Sequence, residues 1–223
     1  MITFDNTEIA FQSKSNRDLK KSYFLFKTLS HPMLVKLGGS LTKAAIKVHF
    51  PVNWVVKPFI YKQFVGGETI RECEPAVALL GKYNVKAILD YSVEGKESPE
   101  DIQAALNETL RSIENAGKNP NIPFAVFKPT AFTTSTVLTK VSAGTTLSKS
   151  EKTEAEAFRN RVNTLCQAAY DNNIPILIDA EDSWYQPFID DVVNAMMKKY
   201  NREKAVVFNT FQMYRIDRLD YLK

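Results

Sequence analysis

From residue 84 onward, short apolar runs alternate with longer segments whose apolar residues have helical spacing. The apolar runs, which we predict to be strands, cover 85–93, 124–130, 175–181 and 205–213. Strands that alternate with helices form a parallel sheet covered by helices, and strands buried on both faces are nearly continuous in apolar residues. This α/β pattern fits two architectures, a doubly wound sheet and a (β/α)8 barrel.

The segments between the predicted strands carry helix start signals. Ser98 and the proline after it begin a predicted helix over 98–117, and a Ser-x-x-Glu capping pattern begins another over 148–173. A third helix is predicted over 185–201, and a further one opens at Asp217. The pattern therefore predicts four successive strand–helix units.

The first part of the chain differs from the rest in composition and in the spacing of its apolar residues. Residues 1–83 are rich in Lys, Phe and Leu and have helical spacing, so we predict an N-terminal helical arm. A closed barrel needs eight strand–helix units, and residues 84–223 supply four. We therefore expect 84–223 to be the first half of a barrel in the N-terminal part of a longer protein.

Polar residues gather where each predicted strand ends. They are Asp90, Ser92, Glu94, Lys128, Thr130, Asp179, Glu181, Asp182, Asn209 and Gln212. Ligands bind at the carboxyl ends of parallel strands in both architectures, but residues recruited from every strand favour the barrel. Each residue also has an ordinary explanation, since Lys128 could reach solvent and Glu181 or Asp182 could cap the next helix.

Several kinds of catalytic site are excluded from the predicted barrel region. The two histidines, His31 and His49, both precede residue 84, so Ser-His-Asp and HExxH chemistry is excluded there. The chain has neither a P-loop nor a GxGxxG motif, which argues against a nicotinamide site of the Rossmann type.

Composition also indicates partners and compartment. The net charge is +4, and the basic residues are mixed with acidic ones, so we expect no nucleic-acid partner. Cys73 and Cys166 lie far apart and form no CxxC, which favours a reducing compartment. No apolar run approaches the roughly 20 residues of a membrane span, and the first residues lack the pattern of a signal peptide. We predict a cytoplasmic protein.

The strand ends therefore offer one lysine, several carboxylates and two side-chain amides. A lysine and an aspartate on neighbouring strands could orient an anionic small molecule that contains nitrogen. Alternatively, Asp179 and Glu181 could bind Mg²⁺ and Lys128 could attack a carbonyl, as in a barrel aldolase. A non-catalytic binding module is a third alternative.

Four segments, one for each predicted strand, resemble the first four strands of proline dehydrogenases, the flavin enzymes of proline catabolism. They are LDYSVEGKES (89–98), FAVFKPTAF (124–132), ILIDAEDSW (176–184) and VFNTFQMYR (207–215). The family's second strand ends in Lys and a small residue, its third carries Asp-Ala-Glu-Glu, and its fourth carries Gln-x-Tyr. The segment YKQFVGGET (61–69) also resembles the helical arm of compact, single-function members.

The resemblance implies a distorted (β/α)8 barrel that binds FAD at the carboxyl strand ends. It implies oxidation of L-proline to 1-pyrroline-5-carboxylate, with electrons passed to a quinone and possible peripheral contact with the inner face of the membrane. It places Lys128 on the substrate, Asp179 near flavin and substrate, and Gln212 and Tyr214 on the flavin. Asp90 is a further substrate-binding candidate, and no metal is expected.

The resemblance also implies that essential groups come from later strands. Family residues that lie near the flavin N5 and that hold the proline carboxylate follow the fourth strand, and this chain stops there. We expect the 223-residue chain alone to be inactive and to cover its open sheet edges by associating with itself or with a missing C-terminal fragment.

Overall fold

The computed structural model describes residues 3–91 and 95–223. The chain divides into two compact units, Met1–Val85 and Lys86–Lys223. Among the helices of the described residues, none is long and apolar enough to cross a membrane.

The first unit is helical. Its α-helices are α1 (Thr7–Phe11), α2 (Asn16–Leu29), α3 (Pro32–Lys47), α4 (Asn53–Val56), α5 (Lys62–Phe64) and α6 (Ile70–Lys82), with a π-helical turn, Lys57–Tyr61, between α4 and α5. Side-chain caps define three of the starts, and the Asn6 side chain caps α1 by accepting from the Ile9 N–H at 3.1 Å. The Ser15 hydroxyl accepts from the Asp18 N–H at 3.2 Å, and the Thr69 hydroxyl accepts from the Glu72 N–H at 3.2 Å.

The second unit contains a parallel sheet and five α-helices. Its elements are α7 (Pro99–Lys118), β1 (Ala125–Phe127), α8 (Ser135–Ser142), α9 (Lys149–Asp171), β2 (Ile176–Ile178), α10 (Gln186–Tyr200), β3 (Val207–Asn209) and α11 (Ile216–Leu222), with a 3₁₀ turn, Pro129–Phe132, after β1. The strands lie in the order β1-β2-β3. Each crossover between neighbouring strands carries helix, so the topology is that of successive βαβ units.

The predicted helix starts at α7 and α9 are confirmed. The Ser98 hydroxyl accepts from the Asp101 N–H at 3.1 Å at the start of α7. At the start of α9 the Ser148 hydroxyl accepts from the Glu151 N–H, and the Glu151 carboxylate accepts from the Ser148 N–H at 2.8 Å. These local bonds satisfy N–H groups that would otherwise lack partners at a helix N-terminus.

The core of the second unit lies on one face of the sheet. The parallel register aligns Ala125 with Ile176 and Ile176 with Val207, and all three are buried. The alternate residues of the same strands are partly exposed. The sequence pattern predicted burial on both faces, whereas the described strands bury one face at every position except Asn209 and the other face only partly.

The predicted first strand, 85–93, is wrong for the part that the structure describes. Residues 85–91 form no strand, and residues 92–94 lie outside the described residues. Val85 and Ile88 are 47% and 44% exposed, and the Ala87 N–H bonds to the Asn121 carbonyl at 2.9 Å. Residue types that favour a strand need a paired neighbour and a buried face, which this exposed run does not gain.

Candidate active site

The carboxyl ends of the three strands border a cleft of about 470 Å³ in the second unit. Among the described residues, its lining consists of Gly95, Glu97, Lys128, Thr130, Ser135, Ala180, Glu181, Asp182, Tyr185 and Gln212. Parallel α/β proteins bind ligands at this edge, because side chains that follow successive strands converge there.

A charged pair on α9 fixes the turn that follows β1. Lys128 is extended, and the 3₁₀ turn that follows buries Phe132. The Arg161 guanidinium donates to the Phe132 carbonyl at 2.9 Å and to the Glu154 carboxylate at 2.7 Å. Because the turn is fixed by buried apolar contacts and by Arg161, the backbone that carries Lys128 has a defined direction.

The end of β2 carries two carboxylates with different partners. Asp179 accepts a hydrogen bond from the Thr210 hydroxyl at 3.2 Å, and that hydroxyl accepts from the Ala180 N–H at 2.7 Å. Glu181 accepts from the Thr130 hydroxyl at 2.9 Å. The Glu181 carboxylate therefore links the end of β2 to the turn after β1.

Burial raises the pKa of the Glu181 carboxyl above its usual range. The hydrogen bond from Thr130 and the positive charge of Lys128 act in the opposite direction, and the charge of Asp179 adds to the increase. A carboxyl that is half buried between a lysine and a second carboxylate is typical of functional clefts.

We expect the Glu181→Gln variant to gain stability relative to the unchanged protein as the pH rises. The native carboxyl has a raised pKa, so the folded state holds this proton more tightly than the unfolded chain. Folding stability from Glu181 is therefore present at low pH and is lost as the pH rises from the unfolded pKa through the folded pKa. Glutamine does not titrate and can still accept from Thr130.

Thermal melts of both proteins from about pH 4 to about pH 8 measure this difference. The exposed Glu156 on α9 provides the control, because Glu156→Gln should show no such trend. A stability difference for Glu181→Gln that stays constant or shrinks as the pH rises would contradict the effect of burial.

The Gln212 side chain bonds to the backbone after β2 and to Tyr214. Its Nε2 donates to the Ala180 carbonyl at 3.2 Å, and its Oε1 accepts from the Tyr214 hydroxyl at 2.9 Å. A side-chain amide has two N–H donors and two acceptor positions, so Gln212 keeps one of each for a ligand.

The cleft brings together two of the sequence-predicted site residues, Lys128 and Gln212. Asp179 lies at the end of β2 against Thr210, and Tyr214, which is 82% exposed, contacts Gln212. Asp90 lies in the described segment that forms no strand, and the predicted strand-end residues 92 and 94 lie outside the described residues. The predicted contact between Asp179 and Lys128 stays a prediction.

The ordinary explanation that Glu181 or Asp182 caps α10 is wrong. The Ser142 hydroxyl caps this helix, because it accepts from the Phe188 N–H at 3.1 Å and donates to the Tyr185 carbonyl at 2.9 Å. Within residues 3–91 and 95–223, no three His, Cys, Asp or Glu side chains converge to hold a metal ion. The magnesium-dependent alternative therefore gains no support from the described geometry.

Sequence reasoning missed a buried polar cluster behind the cleft. Gln186, Asp190 and Arg218 are buried, and both Gln186 and Arg218 donate to Asp190, with the Asp190–Arg218 pair bonded at 2.7 Å and 3.0 Å. A usable signal was present in QPFIDDVV, where Gln186 and Asp190 are four residues apart on the apolar face of a helix. Arg218, the partner of Asp190, lies 28 residues further along than Asp190 and could not be inferred from spacing.

Two relatives of known name match much of the chain. "Proline dehydrogenase 1, mitochondrial" from Dictyostelium discoideum is 29% identical, over 98% of this chain and 45% of the relative. The carbapenem antibiotics biosynthesis protein CarD from Pectobacterium carotovorum is 30% identical, over 71% of this chain and 42% of the relative. The chain thus spans about half the length of the curated relatives it matches.

A solved structure has the same fold. A crystal structure of proline utilization A from Bradyrhizobium japonicum matches 70% of this chain and 16% of its own, with a TM-score of 0.52 and 20% identity.

The family model for proline dehydrogenase matches residues 73–223, which include every strand of the sheet and the whole lining of the cleft. Since this match covers more than half of the sequence, the chain belongs to the proline dehydrogenase family, a family of flavoenzymes.

Proposed function

We propose that this chain provides part of the substrate and flavin site of an enzyme that oxidises L-proline to 1-pyrroline-5-carboxylate. The observation that carries the proposal is the cleft in which Lys128 and Gln212 lie together at the carboxyl edge of the sheet. A cation can bind a carboxylate and a side-chain amide can bind a heterocyclic edge, and the proposed reaction uses both kinds of contact.

We propose further that the second unit is part of a (β/α)8 barrel. The strand order β1-β2-β3 follows the chain without reversal, as in a barrel, whereas a doubly wound sheet reverses its order at one point. The sheet face opposite the core is partly exposed, and in a closed barrel that face lines the interior.

The residues of the cleft are compatible with FAD as the flavin. The cleft volume of about 470 Å³ lies within the roughly 300–1,000 Å³ common for small-molecule sites. The spare donor and acceptor of Gln212 match the alternating N–H and C=O groups on the imide edge of a flavin ring. When bound, the flavin would accept the hydride from the ring carbon next to the proline nitrogen.

The chain's own residues have distinct roles in this proposal. Lys128 pairs with the proline carboxylate and orients the ring, and Asp179 lies near the flavin and the substrate. Asp90, which is not part of the cleft lining, is a further candidate for substrate binding. Gln212, supported by Tyr214, fixes the flavin edge. Orientation and electrostatics are the protein's share of such catalysis, because the cofactor carries the redox chemistry.

The proposal is tested with a longer, purified and flavin-loaded protein that contains these residues, by steady-state oxidation of L-proline with a dye as electron acceptor. We expect turnover with L-proline and formation of 1-pyrroline-5-carboxylate. Flavin-loaded protein that is inert toward L-proline, or that prefers hydroxyproline or an unrelated amino acid, would refute the substrate assignment.

We also propose that electrons pass to a membrane quinone and that the first unit makes peripheral contact with the membrane. Residues 14–62 contain ten Lys or Arg residues and one acidic residue, Asp18. Large apolar side chains in the same segment are exposed, among them Phe24 at 72% and Trp54 at 82%. Basic helices with exposed apolar residues are typical of segments that bind anionic lipid surfaces.

Co-sedimentation with vesicles tests this contact. We expect binding to vesicles that contain anionic lipid, weak binding to zwitterionic vesicles, and loss of binding in a Lys20→Glu, Lys21→Glu variant. The control variant Lys149→Glu, Lys152→Glu changes the same charge on the exposed face of α9. Equal loss in both variants, or binding that ignores lipid charge, would refute a specific role for the first unit.

The cytoplasmic location, the self-association and the inactivity of the 223-residue chain alone stay predictions. The Dictyostelium relative is named as mitochondrial, so the compartment of this protein is best tested by cell fractionation.

A further inference from the structure

We propose that Asp190 on α10 is a positioning residue, which holds the backbone around Glu181 and Gln212 in place for the reaction proposed above. Asp190 lies outside the cleft lining and is 5% exposed. It therefore acts through other residues and does not touch substrate.

Asp190 is the centre of a buried hydrogen-bond cluster. Its carboxylate accepts two bonds from the Arg218 guanidinium, at 2.7 Å and 3.0 Å. It also accepts from Gln186 Nε2 at 2.9 Å and from Asn209 Nδ2 at 3.0 Å. Charges this deeply buried are tolerated when they are paired and their remaining hydrogen-bonding positions are satisfied, as here.

The first arm of the cluster reaches the end of β2. Gln186 donates to Asp190 with its nitrogen, and its Oε1 accepts from the Glu181 N–H at 2.8 Å. Gln186 is 1% exposed, so its amide has a single orientation that satisfies both partners. Through Gln186, Asp190 fixes the backbone from which the Glu181 side chain enters the cleft.

The second arm reaches the end of β3 and the loop after it. Asn209, the last residue of β3, donates to Asp190, and Phe211 lies under the Arg218 guanidinium at 5.2 Å from ring centroid to carbon. The next residue is Gln212, whose amide nitrogen bonds to the Ala180 carbonyl. The ends of β2 and β3 both contribute to the cleft, and hydrogen bonds connect both of them to the buried Asp190 carboxylate.

The cluster includes a buried polar atom without a partner in the described part of the chain, and a purely structural role does not explain the free-energy cost of that atom. The Asn209 Oδ1 is buried and has no hydrogen-bond partner among the residues that the structure describes. Burying a paired charge contributes little net stability compared with apolar residues of similar volume. Contacts that cost energy at no gain in stability are expected where the position of neighbouring groups matters for function.

The experiment compares backbone exchange and kinetics in two kinds of variant and one control. Gln186→Leu removes the link between Asp190 and the Glu181 N–H. The double variant Asp190→Asn, Arg218→Gln removes both charges together, so no unpaired charge is left buried. Asp191→Asn changes the neighbouring, exposed aspartate and serves as the matched control.

We expect hydrogen exchange at the Glu181 amide to become about tenfold faster in Gln186→Leu, as the loss of one buried hydrogen bond predicts. In the double variant we expect faster exchange across residues 180–182 and 209–212, and a lower kcat/KM for L-proline with flavin content retained. The control should match the unchanged protein in both measurements.

Amide exchange needs no enzymatic activity, so it separates this inference from the proposed function. Faster exchange at the strand ends in a protein inert toward proline would support the positioning role and refute the substrate. Either variant lowering the melting temperature while leaving exchange at 180–182 and 209–212 and the kinetics unchanged would overturn the inference. If Gln186→Leu does not fold, the same exchange and kinetic measurements on the double variant test the inference.

Discussion

Replacing Lys128 by alanine is expected to lower kcat/KM for L-proline by about 10- to 150-fold while bound flavin is retained. A hydrogen bond between charged partners is worth about 1.5–3 kcal/mol, and each 1.4 kcal/mol corresponds to a factor of about ten. Lys128 lines the cleft beside Thr130, Glu181 and Gln212, and we propose that it meets the proline carboxylate there. The loss should appear mainly in KM, because the contact is present in the ground state as well as the transition state.

Two comparisons make this result specific. Lys128→Arg keeps the charge and should retain more activity than the alanine variant, although the planar guanidinium changes the geometry. Lys149→Ala removes an exposed lysine from α9 and should leave the kinetics unchanged. An unaltered KM in Lys128→Ala would show that another group binds the carboxylate, and loss of flavin would place Lys128 on the cofactor.

Replacing Phe158 by alanine is expected to destabilise the second unit by about 3–5 kcal/mol, as is usual for a large aromatic side chain removed from a core. Phe158 is 1% exposed on α9, and its ring lies 5.4 Å from that of Phe188 on α10. The substitution leaves a cavity between two helices that cover the sheet, and the aromatic contact is lost as well.

Denaturant unfolding of the purified protein measures the effect. Tyr170→Ala removes an aromatic ring from the same helix at a position that is 41% exposed, and it should cost much less. Equal losses for the two substitutions would mean that the packing of α9 against α10 contributes little to the stability of this unit.

Helix positions could be predicted from the sequence because their determinants are local. Ser98 and Ser148 form their caps with residues three positions away, so the signal is contained in a few letters. Helix α8 was not predicted, although the Thr134 hydroxyl caps it by accepting from the Val137 N–H, because its eight residues include β-branched types. This helix is stabilised by burial of Val137 and Leu138. Burial of that kind depends on distant segments.

Strands were predicted less well, because a strand exists only through its neighbours. The centres of β1, β2 and β3 fall inside the predicted runs, but each observed strand has three residues. The run 85–93 has the same residue types, yet its described part gains no strand pairing. Residue type indicates which segments can be extended, whereas pairing is decided by the fold.

The sequence also predicted some residues of the candidate site and missed the contacts that depend on the fold. The residue types at the strand ends pointed to Lys128 and Gln212, because polar residues after apolar strands mark the ligand-binding edge of a parallel sheet. The bond between Thr130 and Glu181 joins residues 51 positions apart, and no spacing rule predicts it. The cluster around Asp190 was missed for the same reason.

Reduction of the bound flavin by L-proline in the absence of oxygen tests the central claim most directly. A flavin-loaded, longer protein that contains these residues is mixed with L-proline, and the visible absorbance of the oxidised flavin is followed. We predict that the absorbance is lost, and that Lys128→Ala needs a much higher proline concentration for the same rate. Flavin that stays oxidised at saturating L-proline, or reduction with the same proline dependence in Lys128→Ala, would contradict the assignment of this cleft as the proline site.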